Sequence, residues 1–223
     1  MKRNFGLVVL ITVIASILLL NGLFDKVGTF TTGADYKDIN AKGNLILVNK
    51  SHPLPEDYVP DDLVKVNVKF NKTATDEEKM MRKEAAFALE KMFMAAERDK
   101  IELYGVNGYR SYDTQKQLYD DDSRTKGYSY SEQYDAKPGT SEHQTGLAMD
   151  VTNSRYSTNF GETVEGKWLK NNCYKYGFII RYPIGMENIT GYAYEPWHVR
   201  YVGVKAAEDI HSRGIVLEQY LNQ

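Results

Sequence analysis

Cysteine is almost absent from this chain. Cys173 is the single one in 223 residues, so no intrachain disulfide can form, and every thiolate-rich zinc or iron–sulfur site is excluded. An excess of one charge is also missing. The 28 Lys and Arg against 30 Asp and Glu leave a net of −2 and an isoelectric point near 6.1, so nothing in the balance points to nucleic acid as a partner. Histidine is scarce, with only His52, His143, His198 and His211. Any metal must therefore be held by His, Asp or Glu. There is no internal repeat and no low-complexity tract. With 42% apolar and 26% charged residues, the composition is globular rather than disordered.

What the chain does have, at its start, is a long apolar run. Residues 5–24, FGLVVLITVIASILLLNGLF, carry no charge. As a helix they would span roughly 30 Å, one hydrocarbon core. Lys2 and Arg3 precede the run, which keeps residues 1–4 in the cytoplasm and exports the remainder. A cleaved signal peptide is the competing reading. The run is longer than the usual signal core and no A-x-A site follows, so an uncleaved single-pass anchor is preferred. Residues 25–43 are polar with three glycines and read as a tether, leaving 44–223 as the exported domain.

Within that domain Leu45–Val48 suggests a short strand, and Pro53, Pro55 and Pro60 force an extended path after it. Thr75 and Glu78 form a capping-box pattern. Met81, Ala85, Leu89, Met92, Phe93 and Ala96 then recur at helical spacing, which predicts one helix over 75–98. Strands are expected at 101–106, 178–182 and 194–202. Helices are expected from Tyr112, over 163–176 before Gly177, and over 203–213 before Gly214, with a loop over 123–140. The order lacks regular βαβ alternation and favours an α+β domain, a small antiparallel sheet flanked by helices. Cys173 reads as a buried small residue.

Two clusters carry chemistry. In SEHQTGLAMD, His143 and Asp150 stand seven residues apart; in YEPWH, Glu195 precedes His198 by three. A hydrolytic zinc needs three protein ligands and one open position, and His143, Asp150 and His198 supply two neutral imidazoles and one carboxylate. Glu195 is close enough in sequence to His198 to take a proton from water. The small residues Gly146 and Ala148 suit a crowded backbone, and Pro196 stiffens the path between Glu195 and His198. Asp113 and the run Asp120–Asp122 read as solvated helix face, and His52 and His211 as structural or surface residues.

The first cluster fits S-x-H-x-x-G-x-A-x-D at every specified position: Ser141, His143, Gly146, Ala148 and Asp150. YEPWHVRYVG looks like an E-x-x-H element, and GYRSYDTQ (108–115) like S-G-Y-R-S-x-x-x-Q. With LVNKSHPLPEDYVPDDLV (47–64) and GFIIRYP (177–183), these make the chain resemble the LAS group of bacterial zinc peptidases over about residues 45–205, in the form of VanY-like D-alanyl-D-alanine carboxypeptidases. The resemblance implies the LAS, or Hedgehog-type, peptidase fold and one zinc per domain, bound by His143, Asp150 and His198. It implies Glu195 as general base and then proton donor, and Arg110 facing the oxyanion. Ser141, Gln115 and Tyr182 would hold the terminal D-alanine. The implied partners are peptidoglycan stem peptides or their precursors, outside the plasma membrane. L,D-cleavage of tetrapeptide stems and a catalytically silent wall-binding module are the alternatives. Asn107 departs from the pattern, where serine is usual. The departure is expected to leave the metal site untouched and to alter the floor of the substrate pocket.

Overall fold

The computed structural model describes residues 43–222. The apolar run 5–24 and nearly all of the tether lie outside the described residues, and no helix among those described is long and apolar enough to cross a membrane.

Strands β1 (Leu63–Lys65) and β2 (Met80–Arg82) pair as a short antiparallel ribbon, and helix α1 (Lys83–Arg98) follows directly. Then come β3 (Tyr104–Gly105), α2 (Tyr112–Thr125), α3 (Tyr128–Tyr134) and β4 (Ala148–Thr152). Helix α4 (Val164–Asn172) runs into a 3-10 turn over Cys173–Tyr176, followed by β5 (Phe178–Tyr182). The one-turn α5 (Glu187–Thr190), β6 (Glu195–Tyr201), α6 (Val204–Arg213) and α7 (Leu217–Tyr220) complete the chain. The main sheet is antiparallel in the order β3-β4-β6-β5. The domain is thus α+β with small antiparallel sheets, as the element order implied.

Alternation along the strands decides what faces what. Met149 and Val151 of β4, Val199 and Tyr201 of β6, and Phe178 of β5 join Leu89, Met92 and Phe93 of α1 in the main core. Each such fully buried side chain contributes about 1.5–3 kcal/mol of transfer free energy. Ile179 of β5 lies on the opposite face and packs with Ala206, Ala207 and Ile210 of α6 and Leu217 of α7.

Four expectations change. The helix expected over 75–98 begins only at Lys83. The Thr75–Glu78 pair does form reciprocally, at 2.7 and 3.2 Å, but it closes a turn. The carbonyls of Glu78 and Met80 are taken by the N–H groups of Gly108 and Tyr109, both at 2.7 Å, so these two cannot serve a helix ladder. Residues 45–48 form no strand: the Ile46 carbonyl accepts from Arg200 Nη2 at 2.6 Å instead. The strand at 101–106 shrinks to Tyr104–Gly105, because β4 ends opposite Tyr104 at Thr152. The stretch 123–140 is partly helical. Ser111 caps α2 by accepting from the Thr114 N–H, and ion pairs Lys116–Asp120 and Lys126–Asp122 support the helix to Thr125. Helix α3 follows.

Candidate metal centre and active cleft

The register of β4 on β6 pairs Asp150 with His198, which sets both side chains side by side on the sheet face opposite the main core. His143 comes from a 3-10 turn, Glu142–Thr145, just before β4. Gly146 closes that turn at φ +65°. A Cβ there would lie 2.8 Å from Leu63 Cδ2, so the crowding expected between the ligands comes from β1 rather than from the site. Gly108 is squeezed harder, with the Met80 carbonyl oxygen 2.5 Å from where its Cβ would stand. Its own carbonyl accepts the Nδ1–H of His143 at 2.8 Å, leaving Nε2 of that ring facing Asp150 Oδ2 at 3.4 Å. His198 is turned the other way. Its Nδ1 lies 3.2 Å from Asp150 Oδ1 and 3.7 Å from Glu195 Oε2, and its Nε2 lies 3.4 Å from Glu142 Oε2.

One donor atom from each of His143, Asp150 and His198 falls within 4.8 Å of the other two. The oxygen Asp150 Oδ1 is buried without a hydrogen-bond partner. A convergent pair of imidazoles with a carboxylate oxygen left over fits a divalent ion of the zinc class. The electrostatics agree. Burial lowers the pKa of His143, which keeps that ring neutral and able to ligate. Burial also resists charge on His198, but the carboxylates of Asp150 and Glu142 facing its two ring nitrogens outweigh it and hold the pKa up at about 9. A proton and a cation therefore compete for the same nitrogen. Asp150 stays well below the usual carboxylate range despite burial, because His143 and His198 face it. Burial pushes Glu195 up to about 7, only partly offset by His198, and that value suits proton transfer near neutral pH.

A cleft of about 230 Å³ opens over these residues. All eight side chains singled out from the sequence line it: Arg110, Gln115, Ser141, His143, Asp150, Tyr182, Glu195 and His198. Arg110 is buried and donates through Nη1 to Gln115 Oε1 at 2.8 Å, and Gln115 Nε2 donates to the Ala136 carbonyl at 2.8 Å. The guanidinium is thereby aimed from the mouth of α2. The Tyr182 ring stands 5.0 Å from the His198 ring, and burial raises its hydroxyl pKa well above the ordinary value. His52 and His211 are exposed, outside the cleft, with His211 stacked on Tyr174. Buried Cys173 has its thiol raised to about 12 by desolvation.

Asn107 requires a correction. Its Nδ2 donates to Asp150 Oδ2 at 3.0 Å, and its carbonyl accepts the Asp150 N–H at 2.8 Å. The departure from serine reaches a candidate metal ligand and not only the pocket floor. Glu142, Tyr192 and Trp197 also line the cleft and were not anticipated. Glu142 was hidden because it occupies a variable position of the motif. The aromatic pair lies in a stretch whose only clear signal was Glu-x-x-His.

Residues 78–204 match the family model of VanY, D-alanyl-D-alanine carboxypeptidase. The chain belongs to the VanY family. It is 48% identical over 188 residues to YodJ of Bacillus subtilis (strain 168), covering 82% of this chain and 69% of YodJ. Among solved structures it is similar to the LdcB LD-carboxypeptidase, with a TM-score of 0.77 and 48% identity over 81% of this chain and 86% of that one. It is also similar to the vancomycin-resistance D,D-pentapeptidase VanY from a VanB-type cassette, solved as a variant in complex with Zn(II). There the TM-score is 0.65 and the identity 34%, over 80% of this chain and 99% of that one. A carboxypeptidase of the VanY family is thus the frame for the cleft.

Proposed function

We propose that this chain is a zinc carboxypeptidase that releases the C-terminal D-alanine of peptidoglycan stem peptides, by D,D-cleavage as in the description of its family. The observation that carries the reading is the convergence of His143, Asp150 and His198 in one cleft with Glu195 and Arg110. Zinc held by those three ligands would supply an acidified water and polarise a carbonyl. The chain's own groups do the rest. Glu195 takes the proton from the attacking water and returns it to the leaving amine. Arg110, braced by Gln115, meets the negative charge that develops on the carbonyl oxygen. Ser141 and Gln115 orient the terminal D-alanine, with Tyr182 closing the wall beside His198.

A second reading has its own support. The similarity to the LdcB LD-carboxypeptidase, at 48% identity, exceeds that to the D,D-pentapeptidase, at 34%. L,D-cleavage would release the same D-alanine from a tetrapeptide stem. Incubating the zinc-loaded exported domain with purified pentapeptide and tetrapeptide, followed by mass spectrometry, separates the two. Loss of one D-alanine from the pentapeptide alone supports D,D-cleavage; loss from the tetrapeptide alone replaces it with L,D-cleavage. Chelation should abolish either activity and zinc should restore it. Penicillin should leave it intact, since no serine nucleophile takes part, and full inhibition by stoichiometric penicillin would sink the metal reading.

The location follows from the same substrate. Residues 5–24 would hold the domain on the outer side of a bacterial plasma membrane, where stem peptides are exposed. Protease added to intact cells should then remove the domain, and full protection would overturn this placement.

A further inference from the structure

Glu142 has no part in the cleft chemistry above, yet it is the most enclosed carboxylate near the site, at 1% exposure. Its two oxygens serve different partners. Oε1 accepts from Arg181 Nε at 2.7 Å and from Arg200 Nη1. Oε2 faces His198 Nε2 at 3.4 Å. Neither arginine side chain has any exposed surface. Arg181 uses its other two nitrogens on the carboxylate of Glu218 in α7. Arg200 Nη2 donates to the carbonyls of Asn44 and Ile46 at 3.0 and 2.6 Å. Glu218 also accepts from Asn49 Nδ2 at 3.2 Å.

The charges close on themselves. Two guanidiniums stand against Glu142 and Glu218, so the cluster is neutral, and each buried charge has an opposite one in contact. Such a cluster adds little net stability, because desolvation consumes most of the attraction. It does fix geometry, since every member has hydrogen bonds that only one arrangement satisfies. Asn49 and Glu218 lie outside the 78–204 stretch that matches the family model. The flanks of the domain therefore reach the candidate metal centre, the C-terminal one through the Arg181–Glu218 ion pair and the N-terminal one through hydrogen bonds.

We propose that Glu142 is a positioning residue for the metal centre. By accepting the Nε2–H of His198 it selects that tautomer and presents Nδ1 to the metal, while Arg181, Arg200 and Glu218 hold the carboxylate in place. The inference rests on the zinc reading above. A carboxylate is an acceptor only, so it favours a proton on the ring nitrogen that faces it. Outer partners of this kind orient metal-bound imidazoles and raise their basicity.

The test is Glu142→Gln. Its amide oxygen must serve the arginines, which are donors only, so its NH2 turns to His198. Zinc at Nδ1 requires a proton at Nε2, which then meets another donor. The zinc Kd, read by competition with a chromophoric chelator, should rise by about 10–100-fold. Glu218→Gln, one step further out, should raise it by less than about tenfold. ¹⁵N NMR of the zinc-loaded wild type should show His198 protonated at Nε2 and metal-bound at Nδ1. A merely structural Glu142 would lower Tm equally with and without zinc and leave Kd unchanged, and that result overturns the proposal. Should Glu142→Gln not fold, the wild-type tautomer decides alone: His198 protonated at Nδ1 overturns it. A wild type that binds no zinc overturns the functional reading as well, so the two failures are distinguishable.

Discussion

The two faces of the central sheet are built from alternating residues of the same strands, and they are held in opposite ways. On one face Met149, Val151 and Val199 pack under α1. On the other, Asp150 pairs with His198, and Arg200 with Glu142. Both faces are buried. The apolar one is stabilised by area removed from water, which is non-directional and tolerates replacement by similar volume. The polar one depends on each charge meeting a specific partner, because an unpaired buried charge is strongly destabilising. The same two strands thus supply a forgiving scaffold and an unforgiving site, one residue apart.

The largest expected effect lies on the polar face. Glu195→Ala leaves the three candidate ligands in place, so on the proposed mechanism one zinc should still bind while carboxypeptidase turnover falls by about 10²–10⁴. Near-normal turnover by a folded variant would reassign Glu195 to structure. On the apolar face, Met149→Ala should destabilise the domain by about 2–5 kcal/mol in chemical denaturation. Its zinc stoichiometry and kcat should stay close to wild type where it is folded. If kcat falls as steeply as stability, the two faces are not separable and the contrast fails.

Arg110→Lys sharpens the contrast within the cleft. The charge remains, but the planar fork is lost and the reach shortens. A fall mainly in kcat, by about 10²-fold, fits an oxyanion partner. A rise in KM at constant kcat would move Arg110 to ground-state recognition of substrate. The smallest effect is expected at Asn107. Asn107→Ala removes one donor to Asp150 but keeps the backbone contact, so zinc affinity should drop by about tenfold, the low end for outer partners. An unchanged Kd would return Asn107 to the pocket floor.

Much of this site was legible before any coordinates. The spacing of His143 and Asp150, or of Glu195 and His198, is by itself a weak signal; the residues stand out because SEHQTGLAMD and YEPWH resemble a family's motifs in that family's order. The capping pair Thr75–Glu78 misled. It forms as expected, but a capping box reports only that a turn starts, and distant N–H groups took the carbonyls that a helix would have used. Asn107 was read one step too far from the metal, since sequence spacing does not reveal a hydrogen bond between residues 107 and 150.

The sequence by itself determined which ligand types are open to a metal and how residues alternate along the strand expected at Glu195–His198. A single cysteine limits ligands to His and carboxylate, and a period of two in the strand expected over 194–202 puts His198 opposite Val199, whereas no strand was expected over the residues that form β4 and carry Asp150. These are properties of composition and of short-range geometry. The tertiary structure decided which strand meets which, hence the Asp150–His198 register. It also decided which imidazole nitrogen faces inward, through Gly108 for His143 and Glu142 for His198. Above all it decided that Arg181 and Arg200 are buried, because only folding brings Glu142 and Glu218 to neutralise them. Pairing of charges far apart in the chain is a non-local choice, set by what burial will tolerate, and no local pattern encodes it.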